Sequence, residues 1–327
     1  MPRIKIQRAG EGILLEIGRR RYAIDKVNEV KADYHIISHA HIDHLPKRLC
    51  GKPILSKETA ILAKNRGVKG LEKYGEESED VKLFDSGHIL GSRAALIEGE
   101  VLYTGDINPR GRLFLKGFRP IKARYLVLEA TYGQPTYVFG DFGEMVQGAL
   151  DYVLATLSMG RRVVLMGYTL GKSQILTELF GWYEKLIIHD SVHKFNRLYK
   201  SLGVDLKTDY IVYSEAKREM LGRDAWMLIS PPRGFLSSTL SEKYGAVRVA
   251  FTGWAAHPSY AFWGRADRGF PLSDHADFQD LTKIVEGVDP EKIFLAYGYT
   301  EEFAQHLRNL GYDVQTLKAS QRSITEF

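Results

Sequence analysis

The sequence predicts an α/β protein, and two patterns along the chain support that prediction. Up to about residue 140, short runs of apolar and β-branched residues alternate with turn residues, which is typical of strands and hairpins. From about residue 141, apolar runs alternate with stretches at helical spacing, which is typical of a parallel sheet whose strands are joined by helices. With 327 residues, the chain is long enough for one large domain or two ordinary ones with a sizeable core.

The first part of the chain is predicted to consist of short strands joined by turns. Two hairpins are indicated where apolar runs flank the turn sequences Gly18-Arg19-Arg20-Arg21 and Gly99-Glu100. A third apolar run ends directly before a cluster of histidines. The predicted strands lie at residues 13–17, 22–25, 34–38, 94–98, 101–104 and 125–129.

In the middle of the chain, Met145, Ala149, Val153 and Thr156 recur at helical spacing. Strands are predicted there at residues 162–168, 186–189, 226–229 and 247–251, with a helix at 171–183 and other helical stretches between the strands. The last part is predicted to form a helix at 278–286, a strand at 293–297, a helix at 301–310 and a strand at 314–317. We therefore expect a parallel α/β unit in the middle segment, forming a lobe of its own.

Composition restricts the class of protein and the kind of site. No apolar stretch approaches the roughly 18 residues of a membrane span, and the first residues lack the apolar core of a signal peptide, so a cytoplasmic protein is expected. Cys50 is the only cysteine, which excludes an intramolecular disulfide and cysteine-based zinc sites. The net charge of +5 and the pI near 9.0 favour an anionic partner such as nucleic acid, although many soluble proteins are equally basic.

The histidine cluster predicts a metal site. The segment Ser38-His-Ala-His-Ile-Asp-His44 places three of the chain's 10 histidines and one aspartate directly after a predicted strand, which is not expected of a chance polar loop. Imidazole and carboxylate groups suit zinc and similar divalent metals. His39 and His41 can turn to one ion, whereas Asp43 and His44 can serve a second. Two neighbouring ions can activate water and polarise a phosphoryl group.

The sequence His39-X-His41-X-Asp43-His44 resembles the signature of the metallo-β-lactamase superfamily. Asp25 resembles the first motif, which orients the metal loop from behind, while His88 and Asp106 resemble the third and fourth motifs. The resemblance implies an αββα sandwich and two metal ions, with Zn²⁺ expected and Mn²⁺ as an alternative. It also implies the ligands: His39, His41 and His88 on one ion, Asp43 and His44 on the other, and Asp106 bridging both.

Within that superfamily, three features resemble the β-CASP nucleases. Glu129 in Leu-Val-Leu-Glu-Ala-Thr-Tyr-Gly resembles motif A, and His275 in Leu-Ser-Asp-His-Ala-Asp-Phe resembles motif B. The α/β segment between them resembles the inserted β-CASP cap, including the Gly-Lys-X-Gln element that contains Lys172. The resemblance implies a metallo-β-lactamase domain at residues 1–140 and 264–327 and a cap domain at 141–263.

More narrowly, the chain resembles the branch that contains ligase-associated DNA exonucleases and mRNA 3′-end processing factors. The segments at residues 251–254, 267–270, 272–277 and 298–300 carry this match. Motif C departs from the RNA-cleaving members, because Tyr297 stands where they have a histidine that binds the second metal. A neutral phenol is a poor metal ligand, so we expect a weaker or more open second site. DNA-directed members also lack this histidine, which slightly favours DNA as the substrate.

The resemblance also implies a mechanism. His275 would donate a proton to the leaving oxygen, with Glu129 keeping the imidazole protonated and oriented. The structural alternative for His275 is a histidine that caps the following helix. The structural alternative for Glu129 is a buried ion-pair partner. Lys172, Arg265 and Arg268 are candidates for phosphate contacts, each with an ordinary solvated charge as the alternative, and Tyr297 is a candidate active-site residue that does not bind metal.

The function expected from the sequence is phosphodiester hydrolysis in nucleic acid, with DNA repair or RNA processing as the setting. One alternative is a β-CASP ribonuclease. Two others are a small-molecule hydrolase, such as a thioesterase, and an inactive subunit of a processing complex.

Overall fold

The computed structural model describes residues 3–28, 30–207, 209–223, 225–232, 235–260 and 266–318. The chain divides into two compact units. The first unit comprises Met1–Gly111, Leu115–Gln134 and Phe278–Phe327, and the second comprises Arg112–Phe114 and Pro135–Asp277. Helices and sheets are mixed in this chain, which confirms the predicted α/β class. None of the helices in the described ranges is both long enough and apolar enough to span a membrane.

The elements are numbered along the described residues. The strands are β1 (Ile4–Ala9), β2 (Gly12–Ile17), β3 (Arg20–Ile24), β4 (Tyr34–Ile36), β5 (Lys52–Ile54), β6 (Val81–Asp85), β7 (Arg93–Ile97), β8 (Val101–Tyr103), β9 (Tyr125–Ala130), β10 (Val163–Met166), β11 (Leu186–Ile188), β12 (Ile211–Val212), β13 (Met227–Ser230), β14 (Val247–Phe251), β15 (Arg268–Phe270), β16 (Lys292–Gly298) and β17 (Val314–Thr316). The α-helices are α1 (Lys57–Asn65), α2 (Phe142–Ser158), α3 (Lys172–Phe180), α4 (Asp190–Ser201), α5 (Arg218–Arg223), α6 (Phe235–Tyr244), α7 (Phe278–Val288) and α8 (Thr300–Asn309). Short 3₁₀ helices lie at Tyr213–Glu215 and Gly253–Ala256.

The first unit contains two sheets of similar construction. One has the order β1-β2-β3-β4-β5, in which β1 to β3 pair antiparallel and β3 to β5 pair parallel. The other has the order β6-β7-β8-β9-β16-β17, in which β6 to β8 pair antiparallel and the remaining neighbours pair parallel. Both hairpins predicted from turn sequences are confirmed as β2-β3 and β7-β8.

The two sheets of the first unit share one apolar core. Ile36 and Ile54 of the first sheet and Val127 and Phe294 of the second belong to this cluster. Side chains alternate between the faces of a strand, and Ile37 and Leu55 accordingly pack on the other side with Ala60 and Ala63 of α1. Helices α7 and α8 contact β9, and α8 also contacts β16 and β17. The first unit is therefore layered as helix, sheet, sheet and helix.

Helix α1 was not predicted, because only strands and turns were expected in the first part of the chain. It begins after Ser56, whose hydroxyl accepts a hydrogen bond from the backbone N–H of Thr59 at 3.1 Å. Its buried positions are mostly alanine and threonine, so the apolar stripe is weak in the sequence although the helix packs on the sheet.

The second unit is a parallel α/β unit, as predicted for the middle segment. Its sheet has the order β12-β11-β13-β10-β14-β15, and all neighbouring strands pair parallel. Strand β15 pairs with β14, and the carboxylate of Asp277 accepts a hydrogen bond from the backbone N–H of Phe139 at 2.8 Å. These bonds place the segment up to Asp277 in the second unit, whereas the sequence placed the boundary at residue 263. The assignment of the units to named domains stays a prediction.

Candidate metal centre

The predicted metal-binding residues of the first unit lie at the carboxyl ends of strands that run in the same direction within each sheet. Asp25 follows β3, and the loop with His39, His41 and His44 follows β4, which is parallel to β3. His88 follows β6 and Asp106 follows β8, and both of these strands are antiparallel to β7. Strand direction thus brings residues from distant parts of the sequence to one edge of each sheet.

Four of these side chains form a compact donor group: His39, His41, His88 and Asp106. The Nδ1 atom of His41 lies 3.1 Å from Nε2 of His39 and 3.0 Å from Nε2 of His88. The carboxylate Oδ2 of Asp106 lies 3.3 Å from each of the same two Nε2 atoms. His39, His88 and Asp106 are buried, and His41 is half-buried.

This donor set fits one divalent metal ion. Tetrahedral zinc has metal–nitrogen distances of about 2.0–2.1 Å, which places neighbouring ligand atoms about 3.3 Å apart. The separations of 3.0 to 3.3 Å in the donor group agree with that spacing. In addition, Nδ1 of His41 faces the Nε2 atoms of both His39 and His88. A single ring proton on Nδ1 cannot be donated to both of these nitrogens, whereas a metal ion accepts a lone pair from each of the three nitrogens. Imidazole nitrogens and one carboxylate oxygen are the ligands expected for zinc.

Asp25 orients the metal loop from behind the donor group. Its Oδ1 accepts a hydrogen bond from the backbone N–H of Ser38 at 2.7 Å. Its Oδ2 accepts bonds from the Ser38 hydroxyl at 2.8 Å, from Nδ1 of His44 at 2.8 Å and from the Tyr103 hydroxyl at 2.5 Å. Burial, reinforced by the Asp25 charge, raises the pKa of the Tyr103 phenol well above its usual value, so the phenol stays a donor.

Ser38 also determines which nitrogen of His39 faces the donor group. Its hydroxyl donates a hydrogen bond to Asp25, so the hydroxyl oxygen accepts a hydrogen bond from the Nδ1–H group of His39 at 3.0 Å. The lone pair of His39 is then on Nε2, the atom that faces His41 and Asp106. Such hydrogen bonds from behind fix the tautomer of metal-binding histidines.

His44 lies on the other side of Asp106. Its Nε2 is 3.4 Å from Oδ1 of Asp106, whereas His39 and His88 face Oδ2. Burial lowers the pKa of the His44 imidazole, but the carboxylates of Asp106 and Asp25 outweigh this effect and raise the pKa to about 10. Asp43 is exposed on the same loop and does not belong to the four-donor group. The predicted roles of Asp43 and His44 as ligands of a second ion stay predictions.

Glu129 is buried and supports the turn that carries Asp106. Its Oε1 accepts a hydrogen bond from the backbone N–H of Ile107 at 2.8 Å. Its Oε2 accepts bonds from the backbone N–H of Thr131, at 3.3 Å, and from the Thr131 hydroxyl. The residue next to Asp106 is therefore held by a side chain from the neighbouring strand β9.

Two glycines are needed where the site loops approach one another. Gly87 has φ +78°, and a Cβ there would lie 2.1 Å from the carbonyl oxygen of Asn108. Gly105 has φ +57°, and a Cβ there would lie 2.7 Å from Cβ of Ser38. Because L-residues with side chains avoid this backbone conformation, both positions favour glycine. The close approaches bring the His88, Asp106 and His39 loops together.

Tyr297 packs against His44. The two ring centroids are 5.5 Å apart, and the Tyr297 hydroxyl donates a hydrogen bond to the carbonyl oxygen of Glu11 at 2.9 Å. The guanidinium of Arg8 lies 4.2 Å from the centroid of the phenol ring. Burial and the Asp25 charge raise the pKa of Tyr297, so its phenol is neutral at physiological pH.

In the second unit, Lys172 is buried rather than solvated. Its Nζ lies 2.8 Å from Oδ1 of Asp274, and Nη1 of Arg112 lies 2.7 Å from the same oxygen. Burial lowers the pKa of Lys172 to about 8 against the attraction of Asp274, and the charge of Arg112 adds to the lowering. Arg112 also donates to the carbonyl oxygen of Ser273 at 2.9 Å. The solvated charge considered for Lys172 is therefore wrong, since this lysine belongs to a buried ion-pair cluster.

The structure describes two further predicted residues of the second unit, namely His275, which directly follows Asp274, and Arg268. The backbone N–H of His275 donates to the Ser273 hydroxyl at 2.9 Å, and that hydroxyl donates to the His275 carbonyl at 3.0 Å. Arg268 is exposed, with its guanidinium 5.5 Å from the ring centroid of Phe270. Arg265 lies outside the described residues. The predicted pairing of His275 with Glu129 and the predicted phosphate contacts stay predictions.

Sequence reasoning missed three residues that hold the candidate site residues. Ser38 and Tyr103 bind Asp25, and both stand inside segments that the sequence had already singled out, beside His39 and before Asp106. Arg112 binds the Ser273 carbonyl and Asp274, next to His275 in sequence. No local pattern marks Arg112, because its partners lie more than 150 residues further along the chain.

Comparisons with known proteins relate the chain to two curated proteins and to solved structures. No family model matches the chain. A protein named "Probable DNA ligase" from Opitutus terrae is 32% identical over 291 residues, which cover 85% of this chain and 28% of that protein. A protein named "RNase J-like protein" from Methanocaldococcus jannaschii is 27% identical over 193 residues, which cover 49% of this chain and 46% of that protein. The chain thus spans less than half the length of either curated relative.

A crystal structure of a protein of unknown function from Enterococcus faecalis V583 matches with a TM-score of 0.63 and 14% sequence identity. The match covers 97% of this chain and 98% of that one. The chain therefore shares its fold with that bacterial protein along nearly its whole length.

Proposed function

We propose that this chain is a metal-dependent hydrolase that cleaves the phosphodiester backbone of nucleic acid, with DNA favoured over RNA. The observation that carries the proposal is the buried group of three imidazole nitrogens and one carboxylate oxygen, with spacings that fit a divalent ion. The fold belongs to the same proposal. The four layers of the first unit correspond to a metallo-β-lactamase sandwich, and the parallel α/β second unit corresponds to a β-CASP cap.

The names of the relatives support nucleic acid as the substrate. One relative is named a DNA ligase and the other an RNase J-like protein, and both names concern the phosphodiester bonds of nucleic acid. Tyr297 at the position of motif C and the larger share of the chain matched by the ligase-named protein favour DNA. The ligase-named relative is more than three times as long as the matched segment, so this chain would correspond to a nuclease part of it.

The chain's own residues prepare the site in three ways. His39, His41, His88 and Asp106 would hold the ion. A bound Zn²⁺ would supply Lewis acidity, which makes water acidic near neutral pH and neutralises charge on a phosphate. Asp25 and Ser38 keep the lone pair of His39 on the nitrogen that faces the other donors, and Glu129 holds the turn after Asp106.

His275 is assigned to the leaving group. Cleavage of a phosphodiester bond produces an alkoxide, which needs a proton, and an imidazolium supplies one near neutral pH. The assignment rests on the resemblance of residues 272–278 to motif B. His275→Ala is expected to keep its bound metal and to lose most of its turnover. A His275→Ala variant with full activity would remove this role.

The test compares cleavage of end-labelled single-stranded DNA and RNA of one sequence, with Zn²⁺ and with Mn²⁺. Asp106→Asn removes the carboxylate of the donor group and is expected to abolish cleavage. Asp289→Asn is the matched control, because Asp289 is an exposed carboxylate that pairs with Lys122 at 3.2 Å. The control is expected to cleave like the wild type.

Each outcome of this test has a meaning. Cleavage of DNA in preference to RNA supports the proposal as stated, and preference for RNA supports the ribonuclease alternative. The product ladder distinguishes exonuclease from endonuclease action. Cleavage that persists in Asp106→Asn, or no cleavage of either nucleic acid by metal-loaded protein, would overturn the proposal and favour a small-molecule hydrolase or an inactive subunit.

A further inference from the structure

Two buried cations of the second unit hold the turn that carries His275. Nη1 of Arg112 donates to the carbonyl oxygen of Ser273 at 2.9 Å and to Oδ1 of Asp274 at 2.7 Å. Nζ of Lys172 donates to the same Oδ1 at 2.8 Å. Arg112 and Lys172 are each only 2% exposed. The two residues directly before His275 are therefore both bound by a charged donor.

The backbone of this turn is anchored on both sides of His275. The Ser273 hydroxyl accepts a hydrogen bond from the backbone N–H of His275 at 2.9 Å and donates one to the His275 carbonyl oxygen at 3.0 Å. Two residues further on, the buried carboxylate of Asp277 accepts a bond from the backbone N–H of Phe139 at 2.8 Å. Because the backbone conformation decides which directions a side chain can take, these bonds and those of the cations together orient the imidazole.

The charges of this cluster are better suited to fixing geometry than to adding stability. Burial alone would raise the pKa of Asp274, but the charges of Lys172 and Arg112 outweigh this effect and lower the pKa, so the carboxylate is ionised. Apolar side chains of similar volume often stabilise a core as well as a buried ion pair does, because the ions must leave water. Charge-assisted hydrogen bonds, however, are short and geometrically specific. Here three of them converge on the two residues before His275.

We propose that Arg112 and Lys172 are positioning residues for His275, which fix the direction of its imidazole by holding the two residues before it. The two cations differ in their contribution. Arg112 binds both the Ser273 carbonyl oxygen and the Asp274 carboxylate, whereas Lys172 binds the carboxylate alone. Loss of Arg112 should therefore disturb the turn more than loss of Lys172. The inference rests on the proposed function, from which it takes the role of His275 at the leaving group.

Four variants test this assignment. Arg112→Met and Lys172→Met remove the charges and keep long unbranched side chains. Arg112→Lys keeps the charge but lacks the planar fork of the guanidinium. The matched control is Asn196→Ala, because Asn196 is buried in the same unit and its side chain binds Gln174 at 2.9 Å and Thr177 at 3.1 Å. The control weakens the packing of α3 and α4 without releasing the turn.

The first measurement is cleavage of the end-labelled strand that the wild type prefers, with kcat and KM determined separately per folded molecule. Arg112→Met is expected to lower kcat by about 10- to 100-fold at unchanged KM, because a misplaced proton donor slows the reaction without weakening substrate binding. Lys172→Met should lose less, and Arg112→Lys should recover part of the loss. Asn196→Ala should keep the wild-type kcat.

Two further readouts isolate the effect on His275. In a His275→Ala background, Arg112→Met should lower kcat no further, because the side chain that it positions is already absent. The other readout is the imidazole carbon–proton NMR signal of His275, identified by its absence from His275→Ala. This signal should shift or broaden in Arg112→Met and stay unchanged in Asn196→Ala, and it can be recorded without any cleavage.

Three results would overturn the inference. The first is a folded Arg112→Met variant with wild-type kcat and an unchanged His275 signal, and Lys172→Met provides the same comparison if Arg112→Met does not fold. The second is an equal loss of kcat with and without the His275 side chain. The third is a higher KM at unchanged kcat, which would assign the cations to substrate binding.

The two proposals can fail separately. A wild type that cleaves no nucleic acid, but whose His275 signal depends on Arg112, would defeat only the proposed function. An active nuclease whose His275 signal and kcat are unchanged in both methionine variants would defeat only this inference.

Discussion

Replacing Asp25 with asparagine tests how much the metal centre depends on one buried carboxylate that touches none of the four donors. The change keeps the size of the side chain and removes its charge and one acceptor oxygen. Asp25 accepts four hydrogen bonds, one on Oδ1 from Ser38 and three on Oδ2 from Ser38, His44 and Tyr103. An asparagine can keep its oxygen on only one of these two sides.

The expected cost follows from those bonds. The better orientation keeps the amide oxygen on the side of the three hydrogen-bond donors that contact Oδ2 in the wild type. The amide NH₂ then faces the backbone N–H of Ser38. A buried donor left without its acceptor costs about 2 kcal/mol, and each remaining bond loses its charge assistance, about 1 kcal/mol apiece. With partial relaxation, Asp25→Asn should lower the free energy of unfolding by about 3 to 5 kcal/mol. Because His39 and His44 lose their orientation, metal affinity should fall by about 10- to 100-fold.

The assay combines thermal unfolding of the metal-free protein with Zn²⁺ titration against a chelator. The matched control is Asp33→Asn, in the connection between β3 and β4, because the exposed Asp33 carboxylate accepts a single backbone hydrogen bond from Arg21 at 2.8 Å. The control should change stability by less than about 1 kcal/mol. If Asp25→Asn unfolds at the wild-type temperature and binds Zn²⁺ with wild-type affinity, the argument from its four hydrogen bonds is wrong.

Two further predictions concern the loops and the second unit. Gly87→Ala should lower the free energy of unfolding in urea by about 3 kcal/mol or more, because the new Cβ would meet the Asn108 carbonyl. Gly99→Ala, at φ +68° with nothing within 4 Å of the new Cβ, should lower it by only about 1 kcal/mol. Equal losses of stability would contradict the close approach at Gly87. The pKa of Lys172 is lowered from 10.5 to about 8 in the folded state. As the pH rises, the folded state therefore releases this proton at a lower pH than the unfolded state does. The stability of the wild type relative to Lys172→Met should therefore be constant below about pH 8 and rise by up to about 3 kcal/mol toward pH 10.5, as followed by thermal unfolding at each pH. A difference that stays flat across this range would show that Lys172 is not held as a buried cation beside Asp274.

Only part of the candidate site has a local signal in the sequence. His39 and His41 stand two residues apart on one loop, whereas His88 and Asp106, which each follow a strand, were expected at the site because their segments resemble the third and fourth motifs. What holds them is not local. Tyr103 reaches Asp25 across 78 residues and from the other sheet, so its role depends on the packing of the two sheets. No periodicity in the sequence encodes that contact.

The fold shows the same division between local and distant determinants. Strands such as β10 and β11 are continuous apolar runs, and the runs themselves were sufficient to predict them. Helix α1 was missed because its buried face consists largely of alanine and threonine. The burial of Lys172 was missed for another reason. Its partner Asp274 lies 102 residues further on, and a lysine beside a glycine loop gives no sign of being enclosed.

The position of β16 and β17 in the first unit has a consequence for synthesis of the chain. These strands complete the sheet next to β9, but they are translated only after the entire second unit. Until then, β9 presents the backbone donors and acceptors of an apolar strand as an open edge, which is a template for association with other chains. The second unit can fold on the ribosome while the first unit waits with that edge exposed. We expect nascent or truncated chains that end before Lys292 to aggregate through β9, even though their metal-binding loops are already complete.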